Sequence, residues 1–327
     1  IRPAAEIKHG SALHEKTRKS DCMTRRPVFR SRYGKIVCSL ILFTVTGRIG
    51  FSEDQVPPPK FKTVQNLPYD ATVNLGKHFK SLDLYAPASG KNHPIVIWVH
   101  GGGWKIGDKR GVNSKPEAFT AHGYLLVSIN YRLHPQATYD QQAQDVAQAV
   151  HWVREHARDF GGNPDEIFLM GHSAGAHLVA LVSTNPAYLK TESLSLKAIK
   201  GTILLDGAGY DIADRINTAD PTGKKIYTAV FGTDEKTWKA ASPLTYVRKN
   251  QSIPPFLILH VARREDSRRQ SESLANKLKV NQIAAKLVSA PGKTHMTINR
   301  EIGQPDDMPT QEIFAFLKSV SNSSAAP

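Results

Sequence analysis

Two glycine-rich segments, each placed directly after an apolar run, constrain the fold of this chain more than any other feature. The first, residues 100–104 (HGGGW), follows the apolar run 94–99. The second, residues 171–175 (GHSAG), follows the apolar run 166–170 and opens a small, apolar helical pattern. Short apolar runs that end in glycine are typical of buried parallel strands. The sequence therefore predicts two strand-to-loop turns in a buried parallel sheet.

The second segment predicts a sharp strand-to-helix turn with Ser173 at its centre. Such a turn holds the serine in a strained backbone conformation with its hydroxyl group exposed. Glycine is needed at positions 171 and 175 because a Cβ there would meet the neighbouring strand or helix. The backbone N–H of Ala174, at the helix start, then points to where a substrate oxyanion would form. Ser173 is the predicted nucleophile.

The first segment predicts the other half of the same site. Glycine lets backbone N–H groups approach a ligand closely, so Gly102 and Gly103 are the predicted oxyanion donors beside Ala174. His100 is predicted to support this loop. Trp104 is predicted to form an aromatic wall of the substrate pocket or to pack in the core. Two such segments in one chain indicate acyl transfer.

With these motifs the chain resembles the α/β-hydrolase family, in its esterase and lipase branch with an HGGG-type oxyanion loop. The resemblance spans about residues 61–319 and includes residues 131–133 (YRL), an Asp145-bearing helix and residues 292–295 (GKTH). The HGGGW form followed by residues 107–109 (GDK) is similar to small carboxylesterases of the acetyl and feruloyl esterase kind. The resemblance implies an α/β fold with a three-layer, doubly wound, mostly parallel sheet. It also implies catalysis without a metal or organic cofactor.

Alternating strand and helix patterns predict the same architecture in a single domain. The predicted strands are residues 80–85 (edge or antiparallel), 94–99, 124–131, 166–170, 198–205, 254–262 and 284–290. The predicted helices are residues 115–121, 140–160, 174–181, 270–279 and 310–319. Between Asp206 and Ser252 the pattern loosens into a small, polar insertion after strand six. Insertions of this kind carry substrate-binding elements.

His295 is the predicted general base. Active-site groups in open parallel sheets come from loops at the carboxyl ends of strands, and His295 follows the last predicted strand by a few residues. The chain order of oxyanion loop, serine and histidine is also that of the family. Among the other histidines, His172 is predicted at the rim of the substrate pocket and His177 in packing beneath the turn. Tyr131 and Arg132 are predicted to brace the oxyanion loop and sheet.

The acid of the triad is less well defined by the sequence. The resemblance implies Asp or Glu on the loop after the strand 254–262, where it would hold the productive tautomer of the histidine. That loop reads RREDS over residues 263–267, and its basic residues stand where relatives place the acid. Asp266 is the predicted acid and Glu265 the alternative, with Asp206 third. Asp266 before a serine is equally consistent with a helix cap.

Charge separates the first 52 residues from the rest of the chain. The formal net charge is +14, of which the eleven Lys or Arg and three Asp or Glu of residues 1–52 contribute +8 and leave +6. A +6 domain requires no nucleic-acid partner. The arginines of residues 263–269 alternate with acidic rather than aromatic residues, so they predict a solvated helix face. No metal-binding histidine motif is present in the sequence.

The amino-terminal segment has the pattern of a secretory signal peptide that starts at Met23. Basic residues 23–35 precede the apolar stretch 36–46, which is too short to span a bilayer comfortably. The predicted cleavage follows Ser52, which gives a leader over residues 1–52 and a catalytic domain over residues 53–327. A basic tail or an uncleaved anchor is the alternative. Both cysteines lie in the leader, so the predicted exported domain has no disulfide. Because the apolar stretch 36–46 is removed with the leader, no membrane span is predicted after cleavage.

The predicted function is hydrolysis of carboxylic esters by Ser173, His295 and Asp266. The resemblance implies small-molecule or polysaccharide-linked esters with short or aromatic acyl groups. Formamidase and peptidase activity on the same scaffold remain alternatives, since amide and ester hydrolysis share the oxyanion geometry. A hydrolase-fold binding protein without activity is a third alternative, because the acid is displaced from its usual place.

Overall fold

Eight strands form one sheet in the computed structural model of the protein, which describes residues 60–70 and 80–323. The predicted leader over residues 1–52, its cleavage site and the predicted domain boundary lie outside the described residues. The strands are β1 (Phe61–Pro68), β2 (Ser81–Pro87), β3 (His93–Val99), β4 (Leu125–Ile129), β5 (Gly162–His172), β6 (Gly201–Leu205), β7 (Phe256–Val261) and β8 (Ala285–Ala290). Their order across the sheet is β1-β2-β4-β3-β5-β6-β7-β8.

The sheet is parallel from β4 to β8 and antiparallel at its β1 side. β2 pairs antiparallel with both β1 and β4, whereas the remaining neighbouring pairs, β4–β3, β3–β5, β5–β6, β6–β7 and β7–β8, are parallel. The predicted strand at residues 80–85 is therefore antiparallel but not at the edge, because β1 covers it. β1 was not predicted, since its partly exposed residues have no continuous apolar pattern.

Ten α-helices in the described part of the chain connect the strands. They are α1 (Lys115–Ala121), α2 (Tyr139–His156), α3 (Ala174–Thr184), α4 (Pro186–Thr191), α5 (Ile212–Thr218), α6 (Pro221–Phe231), α7 (Glu235–Ala241), α8 (Glu265–Val280), α9 (Thr297–Arg300) and α10 (Met308–Ser323). Short 3₁₀ helices cover Ala157–Phe160, Leu196–Ala198 and Pro243–Tyr246. The predicted helix over residues 140–160 therefore ends in a 3₁₀ turn.

Two apolar clusters lie on opposite faces of the sheet. Along β3, Ile95, Ile97 and Val99 belong to one cluster, which contains side chains of α2 and α3. Val96 and Trp98 belong to the other, which contains side chains of α1 and α10. Successive side chains of a strand point to opposite faces, so a strand that is apolar throughout must be covered on both. The three-layer architecture predicted from the sequence is confirmed.

The insertion after β6 is helical, although its sequence pattern indicated only a loosened polar segment. Its helices α5, α6 and α7 each begin after an aspartate, respectively Asp211, Asp220 and Asp234. Each of these carboxylates accepts a hydrogen bond from a backbone N–H of the first turn, which satisfies donors that a helix start leaves unpaired. The three caps are the sequence signal that could have revealed these short helices.

The turn between β5 and α3 depends on close approaches that only glycine permits. Ser173 has φ 55° and ψ −118°, a conformation that L residues rarely adopt. A Cβ at Gly171 would lie 2.4 Å from the carbonyl oxygen of Gly175, and a Cβ at Gly175 would lie 2.2 Å from that of Val99. The two glycines thus allow α3 to start against β3 with the serine at the tip of the turn.

We expect Gly175→Ala to lower the free energy of unfolding by about 3 kcal/mol or more, because the backbone of β3 would have to shift. Chemical denaturation measures this change. The control is Gly223→Ala in α6, where the nearest neighbours of an added Cβ are 3.3 Å away. Its effect should stay within about 1 kcal/mol. Equal denaturation midpoints for the two variants would contradict the proposed steric role.

Candidate active site

Ser173, His295 and Asp206 form a hydrogen-bonded line at the carboxyl end of the parallel sheet. The Ser173 Oγ lies 2.9 Å from His295 Nε2, and His295 Nδ1 lies 2.6 Å from Asp206 Oδ2. The three residues follow β5, β8 and β6 respectively. An Nδ1–H that donates to Asp206 leaves Nε2 free to accept the proton of the serine. The geometry is that of an activated serine nucleophile.

Hydrogen bonds and a neighbouring charge keep the buried carboxylate of Asp206 ionised. Its side chain is fully buried, and its Oδ1 accepts a hydrogen bond from the backbone N–H of Val261 at 2.9 Å. Arg264 Nη1 donates to its Oδ2 at 2.6 Å. Burial alone would raise the pKa of Asp206, but the hydrogen bond from His295 and the charge of Arg264 outweigh burial and hold this pKa below its usual value.

The structure does not bring Asp266 or Glu265 to His295, which corrects the acid predicted from the sequence. Asp266 Oδ2 accepts hydrogen bonds from Arg264 at 3.1 Å and from Arg215 at 3.0 Å. Glu265 is exposed and pairs with Arg268. Both acidic residues lie in the first turn of α8, beyond the end of β7.

The position of Asp206 in the sequence also indicates its place beside the serine turn. It follows the fully buried strand β6 directly, and β6 is the parallel neighbour of the serine-bearing strand β5. An acidic residue at the carboxyl end of such a strand lies next to the serine turn whatever the length of the loop that follows. The carboxylate that the structure places beside His295 thus follows β6, one strand earlier than the resemblance implied.

Arg264 also departs from the sequence prediction, which placed it on a solvated helix face. Its Nη1 lies 2.6 Å from Asp206 Oδ2 and 2.5 Å from His295 Nδ1. A guanidinium can only donate hydrogen bonds, and the Nδ1–H of His295 is also a donor. Both groups therefore donate to the same oxygen of Asp206. Its neighbour Arg268 does lie on the exposed face of α8 and pairs with Glu272, as predicted for the cluster.

The oxyanion loop adopts backbone conformations that favour glycine. Gly102 has φ 120° and Gly103 has φ 59°. A Cβ at Gly102 would lie 1.9 Å from the carbonyl oxygen of Ile106, so this glycine closes the turn. Gly103 and Ala174 line the same cavity as Ser173, whereas Gly102 does not. The structure thus brings two of the three predicted oxyanion residues to the cavity beside the serine.

The cavity beside Ser173 has a volume of about 190 Å³. Its lining residues are Gly103, Trp104, Ser173, Ala174, Asp206, Ala208, Gly209, Arg215, Gly223, Ile226, Tyr227 and Arg264. The insertion helices α5 and α6 thus supply one wall, as predicted for the segment after strand six. The walls combine aromatic rings, small residues and two guanidinium groups.

Trp104 meets both of its predicted alternatives, because it lines the cavity and is also buried in the core. Its ring packs edge-on against Tyr227 and Phe231, and its Nε1–H donates to His177 Nδ1 at 3.2 Å. The other ring nitrogen of His177 donates to the Ala241 carbonyl at 2.8 Å. Burial lowers the pKa of His177 to about 4, so this histidine is a neutral packing residue beneath the turn.

His172 does not line the cavity, so its predicted place at the pocket rim is wrong. It is buried, its Nε2–H donates to the backbone carbonyl of His295 at 2.7 Å, and the two ring centroids are 4.5 Å apart. Burial, together with the neighbouring His295, lowers the pKa of His172 to about 3. A neutral His172 therefore holds the backbone that carries His295.

Lys115 anchors the segment that follows His295, a role that was not identified from the sequence. Its Nζ donates to the backbone carbonyl and the side-chain oxygen of Asn299 at 2.7 and 2.8 Å, and lies 4.5 Å from the ring centroid of Trp98. Burial lowers the pKa of Lys115 to about 7. The contact ties α1 to α9, the helix that follows His295.

His100, Tyr131 and Arg132 support the oxyanion loop and the adjoining sheet, as the sequence predicted for these residues. The His100 ring stacks on Tyr131 with centroids 4.4 Å apart, and the Tyr131 hydroxyl donates to the His100 carbonyl at 3.0 Å. Arg132 donates from its backbone and guanidinium to the fully buried Asp145. These contacts connect the loop and the end of β4 to α2.

Neither a metal cluster nor a membrane-spanning helix is found within residues 60–70 and 80–323. No group of three or more His, Cys, Asp or Glu side chains in this part of the chain could hold a metal ion. No helix in it is long and apolar enough to cross a bilayer.

Comparisons with known proteins agree with this architecture. A family model described as BD-FAE matches residues 82–278. Esterase LipQ of Mycobacterium tuberculosis is 34% identical over 186 residues, which cover 53% of this chain and 42% of that protein. Isoprenylcysteine alpha-carbonyl methylesterase ICME of Arabidopsis thaliana is 30% identical over 229 residues, which cover 65% and 53%. The chain spans about half the length of these curated relatives.

Among solved structures, esterase B of Lactobacillus rhamnosis superimposes with a TM-score of 0.67. The match covers 82% of this chain and 88% of that one at 21% identity. A likeness at this level of identity shows the fold. The eight-stranded sheet is thus the α/β-hydrolase fold predicted from the sequence.

We expect Asp206→Asn to slow the labelling of Ser173 by a fluorophosphonate on the order of 10⁴-fold, because an amide cannot hold the required tautomer of His295. The measurement is the time course of labelling of the purified protein. The matched variant Asp266→Asn should slow labelling far less, since Asp266 does not touch His295. A larger effect at Asp266 than at Asp206 would return the acid to the position predicted from the sequence.

Proposed function

Since this chain belongs to the BD-FAE family, we propose that it is a serine hydrolase that cleaves carboxylic esters. The observation that carries the proposal is the hydrogen-bonded line from Ser173 through His295 to Asp206. The curated relatives named above, LipQ and ICME, are an esterase and a methylesterase, which supports the same reaction class.

In the proposed mechanism His295 Nε2 accepts the proton of Ser173 as its oxygen attacks the ester carbonyl carbon. The backbone N–H groups of Ala174 and Gly103, with Gly102 at the same turn, stabilise the oxyanion of the tetrahedral intermediate. His295 then protonates the departing alcohol, and the acyl group remains on Ser173. Water attacks this acyl-enzyme with His295 as base, and the carboxylic acid leaves as Ser173 regains its proton.

Asp206 has an electrostatic and orienting role in this cycle. The imidazolium that forms at His295 is stabilised by a buried carboxylate 2.6 Å away, and the same contact fixes the ring. These side chains and the backbone donors carry every proton and charge of the cycle, and the proposal involves no cofactor.

The size of the cavity favours esters with short or aromatic acyl groups. Pockets for drug-sized ligands measure roughly 300–1,000 Å³, whereas this cavity measures about 190 Å³. Trp104 and Tyr227 provide flat apolar walls, and Ile226 stands on α6 at the exposed side of the cavity. Small-molecule esters and short acyl esters on polysaccharides fit such a site, and a long alkyl chain has no enclosed space in it.

We expect kcat/KM for 4-nitrophenyl esters to fall as the acyl group lengthens from acetyl and butyryl to dodecanoyl. The release of 4-nitrophenol measures this series, with Ser173→Ala as the background. Ile226→Ala should relax the preference towards longer acyl groups because it opens the wall, whereas Val280→Ala, an exposed position at the end of α8, should not. A rate that rises with chain length would refute the short-acyl assignment, and absence of Ser173-dependent hydrolysis would refute the enzyme.

We propose further that the catalytic domain is exported after removal of the leader. The support is the sequence pattern alone, a basic segment over residues 23–35 followed by the apolar stretch 36–46. Mass spectrometry of the protein from its native host should find a mature amino terminus close to residue 53. Accumulation of a species that begins before Ile36 would refute the export signal.

A further inference from the structure

We propose that Arg215 and Arg264 make the catalytic cavity select esters that carry a carboxylate within a few bonds of the scissile ester group. The inference rests on the proposed ester hydrolysis and adds its substrate class. Arg215 comes from the insertion helix α5, and Arg264 directly precedes α8. Both side chains line the same cavity as Ser173.

The acidic residue that pairs with both arginines stands outside the cavity lining. Asp266 Oδ2 accepts from Arg215 Nη2 at 3.0 Å and from Arg264 Nη2 at 3.1 Å, while Asp266 Oδ1 accepts from the backbone N–H of Ser267. Asp266 is not one of the residues that line the cavity. It therefore holds the two guanidinium groups in place while both arginines remain part of the cavity wall.

The cavity wall contains two guanidinium groups. Its charged lining residues in the described chain are Arg215, Arg264 and Asp206. Asp206 is fully buried, and its two oxygens are occupied by His295, Arg264 and the backbone N–H of Val261. With Asp266 counted, the two arginines and the two aspartates balance in formal charge, so the cavity wall presents guanidinium N–H donors rather than a net positive charge. A carboxylate on the substrate would meet a surface that already provides charge-assisted donors.

Arg215 is held in a fixed orientation and keeps unused hydrogen-bonding capacity. Its guanidinium lies 4.8 Å from the ring centroid of Tyr227, which also lines the cavity. Its buried Nε has no acceptor among the described residues. A guanidinium has five N–H donors in a rigid fork, so an arginine of the cavity wall that Asp266 and Tyr227 hold in one orientation is suited to bind a carboxylate.

The size of the cavity limits how far this carboxylate can be from the reacting carbonyl. A sphere with the cavity volume of about 190 Å³ would be roughly 7 Å across. The substrate class is therefore a half-ester of a short dicarboxylic acid or an ester of a short hydroxy acid. In the half-ester the carboxylate lies on the acyl side, and in the ester of a hydroxy acid it lies on the alcohol side. The guanidinium groups would bind the carboxylate in the same way in both.

Two matched substrate pairs test the inference. On the acyl side, 4-nitrophenyl hemiglutarate is compared with its methyl-capped form, 4-nitrophenyl methyl glutarate. On the alcohol side, acetoxyacetate is compared with the neutral acetoxyacetamide through release of acetate. Because a neighbouring carboxylate can accelerate hydrolysis without enzyme, the rate with Ser173→Ala is subtracted in every case.

We expect kcat/KM of the wild-type protein to favour the charged member of at least one pair by roughly tenfold or more, as a charge-assisted hydrogen bond allows. Arg215→Met should remove most of this preference while hydrolysis of the neutral ester persists. Arg215→Lys should retain part of it, because the charge stays and the fork is lost. Added salt should reduce the preference.

The control variant is Arg154→Met, which removes an arginine that pairs with Asp165 at the end of α2, away from the cavity. Its preference should equal that of the wild type. Neutral esters that react as fast as the charged ones in both pairs, or a preference unchanged in Arg215→Met, would overturn the inference. Either result leaves ester hydrolysis intact, whereas loss of all Ser173-dependent turnover would reject the proposed function itself.

Discussion

The position of the His295 ring is the constraint on which the rest of the site depends. The ring must present Nε2 to Ser173 and Nδ1 to Asp206 at the same time, although it lies on a loop after the last strand. Two contacts besides those with Ser173 and Asp206 hold that loop. His172 donates a hydrogen bond to the backbone carbonyl of His295, and Lys115 donates to Asn299 in α9, the helix that follows. Both are buried, so their hydrogen bonds are not exchanged for water.

Arg264 connects the hydrogen-bonded line of Ser173, His295 and Asp206 to the wall of the cavity beside Ser173. Its guanidinium bonds Asp206 on one side and Asp266 on the other, and Asp266 in turn holds Arg215 of the insertion. One network of alternating charges thus runs from Asp206 through Arg264 and Asp266 to Arg215 in the cavity wall. A change at Asp266 is therefore expected to alter specificity through the two arginines more than it alters the activation of Ser173.

Sequence patterns predicted the parallel core well because most of its strands are almost wholly apolar, and β3 and β5 run into glycine-rich turns. They failed where a segment has no such periodicity. β1 is half-exposed and carries no alternation, and the insertion was interpreted as loosened although Asp211, Asp220 and Asp234 cap three short helices there. Local capping chemistry, rather than hydrophobic periodicity, was the informative signal in that region.

By itself the sequence determined the serine turn, its glycines and the histidine near the chain end, while the leader over residues 1–52 stays a prediction from pattern alone. These features are local, because a strained turn and a strand end impose residue types on immediate neighbours. Only the tertiary structure decided the acid, the place of His172 and the role of Arg264. Those depend on which strand ends lie side by side, and β6 lies beside β5 while the first turn of α8 does not reach His295.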